Sequence, residues 1–275
     1  MIDSCVSDTE FCAFDLETTG LSAFSKIVEI GAVRFPFGGD AVTFSTFVNP
    51  GQGIPAEATA VHGITDSMVA GAPSAAEALP GLVDFSEGCV MLAHFARFDV
   101  GVLSLEMARS ACPFPSNPVI DTVDVARRFL PGLRNYKLGT LTSQLGLESR
   151  GLHRALADAL AVRGVFEAAM RGVDCSCFTV GELTRIATML NIGNSVVADV
   201  ALPRGFEWIQ PLIENQARVK VVYDGGTKGR SPRCLTPITF YERKGATYME
   251  AYCHTDGISK SFRVDRIIHI EEWEE

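Results

Sequence analysis

Asp15 and Glu17 stand two residues apart in the segment Phe11-Cys-Ala-Phe-Asp-Leu-Glu17. In a strand, residues at that spacing leave the same face of the sheet, so the two carboxylates must lie side by side. Carboxylates that close repel each other, and both ionise cheaply only with a cation between them. Hard oxygen donors of this kind suit Mg2+ or Mn2+. An Asp-x-Glu pair alone equally describes two solvated charges ending a strand. What sharpens it is the apolar run in front and the continuation Thr18-Thr19-Gly20-Leu21 behind.

The lead-in to the pair is apolar on both faces, as expected of a strand buried inside a sheet. Residues 27–35 and 41–48 read as further strands, separated by the turn-forming Phe37-Gly-Gly-Asp40, and would complete an antiparallel meander. Ser74 with Glu77 matches a capping box and starts a helix running to about Phe85. Short strands at 90–93 and 119–121 alternate with helices over 96–109 and up to Phe129, and 137–145 forms another short helix. The last long helix spans 154–171, where Ala155, Ala159, Val162, Phe166 and Ala169 recur at helical spacing. Strands first, then helices alternating with short strands, predict an α/β mixed sheet with helices packed on it.

From 172 to 212 a helical connecting arm is expected, with a helix over 182–190 stopped by Asn191-Ile-Gly-Asn194 and another before Arg218. The remaining stretch, 213–275, is β-rich, with strands at 219–223, 235–241, 247–253 and 261–268. Glycine turns separate them at Asp224-Gly-Gly226 and Asp256-Gly257.

Phe14-Asp-Leu-Glu-Thr-Thr-Gly-Leu21 resembles the first motif of the DEDD exonucleases, in the branch with a catalytic histidine. The resemblance continues through Val61-His-Gly-Ile-Thr65, Ala93-His-Phe-Ala-Arg-Phe-Asp99, Asp121-Thr122 and His153-Arg-Ala-Leu-Ala-Asp158, in the expected order. That branch includes the proofreading subunit of bacterial DNA polymerase III and has a ribonuclease-H-like fold. The resemblance implies a domain over 1–171 in which Asp15, Glu17, Asp99 and Asp158 hold two divalent ions about 3.5–4 Å apart. It also makes His153 the general base, a role suited to an imidazole whose ordinary pKa is near neutrality. Leu16, Thr18 and Thr19 would contact the terminal nucleotide. His62 is either a substrate contact or a structural loop histidine, His94 is structural, and Glu29, Asp121 and Asp124 are structural or solvated. One departure stands out: His94-Phe95 replaces the usual His-Asn, and phenylalanine cannot supply the amide's hydrogen bonds.

Residues 213–273 resemble a WYL domain, a small SH3-like β-module, through Val221-Val-Tyr223, Arg233-Cys-Leu-Thr-Pro237, Thr247-Tyr-Met-Glu-Ala-Tyr252 and Phe262-Arg-Val-Asp-Arg-Ile267. Of the signature Trp-Tyr-Leu only Tyr248 remains. That family implies binding of single-stranded nucleic acid or a nucleotide, with Arg233, Arg263 and Arg266 on phosphates and Tyr248 for stacking. The plainer reading pairs these arginines with Asp265 and Glu250 and buries Tyr248.

Charge is uneven along the chain. The net charge is −9, with 12 Lys+Arg against 19 Asp+Glu over residues 1–171 but 10 against 5 between Arg218 and Arg266. A basic island in an acidic protein points to two modules with different partners and argues against a purely electrostatic nucleic-acid binder. Hydrophobic residues at 47% and charged residues at 21% are ordinary for a globular chain. No apolar run suits a membrane span, and the N-terminal residues do not resemble a secretory signal, so a cytoplasmic location is expected. The eight cysteines include no CxxC pair, and reduced, mostly buried thiols are expected.

The expected activity is therefore removal of nucleoside monophosphates from the 3′ end of single-stranded or frayed nucleic acid, DNA ahead of RNA. Two other readings remain open: a non-hydrolytic nucleic-acid or nucleotide sensor, and the proofreading subunit of a polymerase.

Overall fold

The computed structural model describes residues 2–20, 24–147, 153–193, 202–215, 217–225, 229–243 and 245–273. Leu21, Asn194 and Gly226, which belong to motifs and turns named above, lie outside them. The chain divides into two compact units, the first Met1–Thr19 with Ser25–Ser195, the second Gly20–Phe24 with Val196–Glu275.

The first unit opens with β1 (Glu10–Thr18), β2 (Ile27–Pro36) and β3 (Val42–Phe47). Next come α1 (Ala56–His62), α2 (Asp66–Val69), α3 (Ala75–Ser86), β4 (Val90–Ala93) and α4 (Arg97–Arg109). It ends with β5 (Pro118–Asp121), α5 (Thr122–Phe129), α6 (Leu138–Leu145), α7 (Ala155–Met170), α8 (Val180–Ile186) and β6 (Met189–Asn191). The six strands form one sheet in the order β3-β2-β1-β4-β5-β6. The meander β1–β2–β3 is antiparallel, β4 and β5 run parallel to β1, and β6 closes the far edge antiparallel to β5. This is the mixed sheet with flanking helices that the order of patterns predicts.

Alternation along β1 decides where the chemistry goes. Cys12, Phe14 and Leu16 enter the core on the side of α3 and α4, with Leu79, Leu82, Leu103 and Met107. Phe11 and Ala13 enter the opposite core with Val162 and Phe166 of α7 and Val180 and Leu183 of α8. Asp15 and Glu17 share the parity of Phe11 and Ala13, so their carboxylates leave on the α7 side. Phe11 anchors that layer, its ring 5.9 Å from Phe35 and 4.9 Å from Phe166. Burying each such ring stabilises the fold by about 1.5–3 kcal/mol.

Local signals set the element ends. Ser74 and Glu77 make the reciprocal capping box at the start of α3. Thr179 and Glu182 make a second one at α8. The expected helix over 182–190 is shorter: α8 stops at Ile186, and Met189–Asn191 pairs with β5 instead. Thr188 is held there by Asp124, whose carboxylate accepts from its N–H at 3.0 Å and its hydroxyl at 2.7 Å.

The second unit holds α9 (Gln210–Glu214) and an antiparallel sheet of β7 (Val219–Tyr223), β8 (Pro232–Arg243), β9 (Ala246–Cys253), β10 (Ile258–Arg263) and β11 (Ile267–Glu272). Its order is β10-β9-β8-β7-β11, around a core of Val219, Val221, Leu235, Phe240, Met249, Ala251 and Phe262. The single strand expected over 261–268 is two. Arg263 pairs with Tyr248 of β9 and Ile267 with Tyr223 of β7, so the chain changes partner in the turn Val264–Arg266. Among the described residues no helix is long and apolar enough to cross a membrane.

Candidate active site

The end of β1 and the start of α7 meet at one place. Asp15, Glu17 and Asp158 each present a carboxylate oxygen there, all within 4.8 Å of one another. It is the one group of three or more potential metal ligands among the described residues. Asp158 is buried, and its Oδ1 has no hydrogen-bond partner. An orphaned buried carboxylate oxygen beside two more carboxylates fits a divalent cation, which would restore the missing interaction.

Gly31 makes the meeting possible. It is the cross-strand partner of Asp15, and a Cβ there would fall 2.2 Å from the backbone of Ala155 and Leu156. Without that atom, the first turn of α7 rests directly on β2, and Asp158 comes up beside β1.

A second device holds the entrance to α7. Glu29, the cross-strand partner of Glu17, is buried and receives Arg154 at two points, Nε at 3.0 Å and Nη2 at 2.7 Å. Its Oε2 also accepts the Ala155 N–H at 3.0 Å, one of the helix's orphan donors. Glu29 and Gly31 are the positions that sequence reasoning missed. A glycine inside a strand pattern is a signal of close backbone approach, whereas nothing in the spacing tied Glu29 to a residue 125 positions away.

Immediately before Arg154 stands His153, in the left-handed conformation at φ 68°. Its backbone N–H donates to Asp158 Oδ2 at 3.1 Å, and the residue is exposed. The His153 N–H thus braces one Asp158 oxygen while the residue itself stays exposed.

Asp99, in the first turn of α4, is buried, and its carboxylate accepts backbone N–H groups, including that of Leu16. It stands outside the group of three but acts on it, being the largest neighbouring charge on Asp15. Crowding and burial move every one of these acids the same way. Burial first, then Asp99, Asp158, Glu17 and Glu29, pushes Asp15 well above the usual carboxylate range. Glu17 is pushed up to about 8 by burial and by Asp158, with Arg154 pulling against it. Asp99 rises to about 7 through burial, its backbone hydrogen bonds opposing. Burial also raises Asp158, although the His153 N–H holds it back. Such a cluster prefers protons or metal ions to bare negative charge.

The remaining expected site residues fall at the same end of β1. Leu16, Thr18 and Thr19 are all buried. Thr19 closes the β1–β2 connection, its N–H donating to Lys26 O at 2.9 Å and its hydroxyl accepting the Lys26 N–H at 2.9 Å. His62 ends α1 and is buried, with Nδ1 accepting the Ile64 N–H at 2.9 Å. Burial lowers its pKa, and its Nε2 has no hydrogen-bond partner among the described residues. His94 is structural: Nδ1 pairs with Thr122 Oγ1 at 2.9 Å and Nε2 with Tyr136 O at 2.7 Å, while burial pushes its pKa down to about 4.

In the second unit Tyr248 is the cross-strand partner of both Tyr241 and Arg263, and stacks on Tyr241 at 5.4 Å. Arg263 forks onto Asp265, with Nε–Oδ1 at 2.9 Å. Arg266 is exposed, and its carbonyl accepts the Asp224 N–H at 2.8 Å. Arg233 is buried, its Nη1 3.5 Å from Asp256 rather than from Glu250, and its Nε has no partner. Glu250 instead accepts the Ser261 hydroxyl at 2.7 Å.

Comparison with known proteins agrees with this geometry. The family model described as Exonuclease matches residues 12–166, more than half of the chain, and the WYL domain model matches residues 206–272. The DNA polymerase III PolC-type protein of Clostridium perfringens is 40% identical over 164 residues, covering 58% of this chain and 11% of the relative. That of Oceanobacillus iheyensis is 39% identical over 160 residues, with the same coverage of 58% and 11%. The chain therefore spans about a tenth of the length of these relatives.

Among solved structures, exonuclease X in complex with 5′ overhanging duplex DNA matches with a TM-score of 0.51 and 28% identity, over 63% of this chain and 99% of that one. The nuclease domain of 3′hExo, a DEDDh family member bound to rAMP, shares the fold at a TM-score of 0.54 and 19% identity, over 62% of this chain and 95% of that one. By sequence model the chain belongs to the Exonuclease family, with a match to the WYL domain model behind the nuclease, and the fold it shares with these neighbours agrees.

Proposed function

We propose that the first unit hydrolyses phosphodiester bonds from the 3′ end of single-stranded or frayed nucleic acid and releases nucleoside monophosphates. The observation that carries this is the meeting of Asp15, Glu17 and Asp158 within 4.8 Å, beside a His153 whose own N–H braces Asp158. Asp15, Glu17, Asp99 and Asp158 would hold two Mg2+ or Mn2+ ions, which supply activation of the attacking water and neutralisation of the leaving oxygen's charge.

The chain's own groups do the rest. His153 is the general base, its exposed imidazole taking the proton of the attacking water. The left-handed backbone turns that ring out of the helix while the N–H stays on Asp158. Leu16, Thr18, Thr19 and His62 contact the terminal nucleotide, His62 through an Nε2 that has no partner among the described residues. Upstream phosphates are met by the stretch 125–147, which carries Arg127, Arg128, Arg134 and Lys137 and no acidic residue, in a domain that is acidic as a whole. DNA is favoured over RNA by the polymerase relatives and by the DNA-bound neighbour.

The division into a nuclease domain at 1–171, an arm at 172–212 and a binding domain at 213–275 belongs to this reading, with α8 and β6 of the arm built into the nuclease core and sheet. Arg233, Tyr248, Arg263 and Arg266 of the last domain would hold single strand or a nucleotide, in a region of net positive charge. A second reading, proofreading beside a polymerase, is favoured by the PolC-type relatives.

The test uses 5′-labelled single-stranded DNA and RNA with Mg2+ or Mn2+, and an Asp15→Ala variant alongside. A ladder shortening from the 3′ end, absent in the variant and with chelator, is expected. Substrates bound but uncut under both metals would replace the nuclease with a non-hydrolytic sensor. Faster cutting at a mismatched primer terminus than at a free single strand would favour proofreading.

A further inference from the structure

Phe95 lies between β4 and α4 with φ 60°, a left-handed conformation that bulky side chains rarely adopt. Only two other described non-glycine residues share a positive φ, and one of them is His153. The Phe95 backbone is pinned on both sides. Its N–H donates to Asp121 Oδ1 at 3.2 Å, and its carbonyl accepts the Phe98 N–H at 3.1 Å, one residue before Asp99. Asp121 is itself fixed as the cap of α5, accepting the Val123 N–H at 3.0 Å. The Phe95 ring stands edge-on to His94 at 5.2 Å, and Thr122 and Tyr136 lock that histidine in place.

Phe95 nevertheless stays 50% exposed. A strained backbone holding a large apolar side chain half in water costs stability that asparagine would not, since asparagine takes this φ with less strain and no apolar exposure. Backbone strain of this kind clusters at functional sites. The place is right as well: β4 runs parallel to β1 with Ala13 opposite Leu92, so the residues after Ala93 emerge at the same sheet end as Asp15 and Glu17.

We propose that the Phe95 ring is a stacking platform for a nucleobase at the 3′ end of the substrate, which makes Phe95 a specificity-determining residue. The proposal rests on the exonuclease reading above and names how that site selects its substrate. Every base has a π face, so the ring accepts any base without reading its edge. It favours unpaired ends, whose bases are free to leave the helix stack, over duplex ends.

The experiment measures KM and kcat on a 5′-labelled oligonucleotide and on versions with an abasic site at the terminal or the penultimate nucleotide. For the wild type, one abasic substrate should raise KM about tenfold, the loss expected for one base–aromatic stack. Phe95→Ala and Phe95→Asn should raise KM on the intact oligonucleotide by a similar factor and show no further abasic penalty. Phe95→Trp should keep both the low KM and the penalty. Phe95→Asn should melt no lower than the wild type, which separates stacking from a packing role.

An abasic penalty unchanged in Phe95→Ala and Phe95→Asn would overturn the proposal, as would variants that lose Tm and kcat with KM intact. If the wild type leaves the intact oligonucleotide uncut, it is the exonuclease reading that fails. The same cycle run as equilibrium binding in Ca2+ then decides the stacking by itself: a penalty that Phe95→Ala abolishes supports it, and one that persists removes it.

Discussion

Gly31 and Ala155 are in contact through backbone alone: a methyl group on Gly31 would lie 2.2 Å from the Ala155 carbonyl carbon. Gly31 sits opposite Asp15, and Ala155 opens the helix that carries Asp158. One missing Cβ therefore sets the distance between the two halves of the acidic cluster. Gly31→Ala pushes against backbone, which cannot swing aside as a side chain would. Overpacking of this kind costs about 1–3 kcal/mol, and a shift of about 1 Å at reacting groups costs about a hundredfold in rate. The expected result is a Tm lowered by several degrees with kcat down about a hundredfold, read by thermal melting and the 3′-shortening rate. An alanine variant with wild-type Tm and rate would show that α7 does not depend on this contact.

The Glu29–Arg154 clamp leads to a different signature. Glu29→Gln removes the charge that occupies Arg154, and the guanidinium then turns to Glu17, which it already stabilises in its ionised form. The Arg154 side chain is 42% exposed, so the loss of stability should be modest, about 1–3 kcal/mol. The larger effect falls on metal use, because an arginine on Glu17 competes with a cation. Residues that orient metal ligands from behind change metal affinity by about 10–100-fold when altered. The Mg2+ concentration giving half-maximal rate should rise within that range. A midpoint unmoved in Glu29→Gln would show that the clamp serves folding only.

How much of this could be read beforehand differs by element, for physical reasons. The strand bearing Asp15 and Glu17, the capping box at Ser74 and the helix bearing Asp158 are local patterns, and local patterns survive into the fold. Met189–Asn191 was hidden because three residues carry no period, and what makes them a strand is the β5 edge and the grip of Asp124 on Thr188. The break at Val264–Arg266 was hidden because both flanking strands alternate alike, and only a change of partner separates them. Glu29 read as a solvated or structural acid, since its partner Arg154 reaches it only after β2 and α7 are packed.

The acidic cluster also fixes how stability responds to pH in the absence of metal. Glu17 at about 8, Asp99 at about 7 and Asp15 well above its usual value all exceed the ordinary carboxylate pKa of about 4. Between those limits the folded protein holds more protons than the unfolded chain, so stability falls as pH rises. The lowered pKa values of His62 and His94 act oppositely, but only below about pH 6.5, where the unfolded histidines take up protons. From about pH 6.5 to 8 the carboxylates therefore dominate, and with chelator the Tm should decline across that window. A bound divalent cation replaces the protons and binds better as they leave, so the Tm gained on adding Mg2+ should grow with pH over the same range. Asp15→Asn relieves the repulsion and should flatten the chelator curve while shrinking the Mg2+ gain. A chelator Tm that rises towards pH 8, or a Mg2+ gain independent of pH, would mean that the three carboxylates stay ionised without a metal and that their crowding is relieved by solvent.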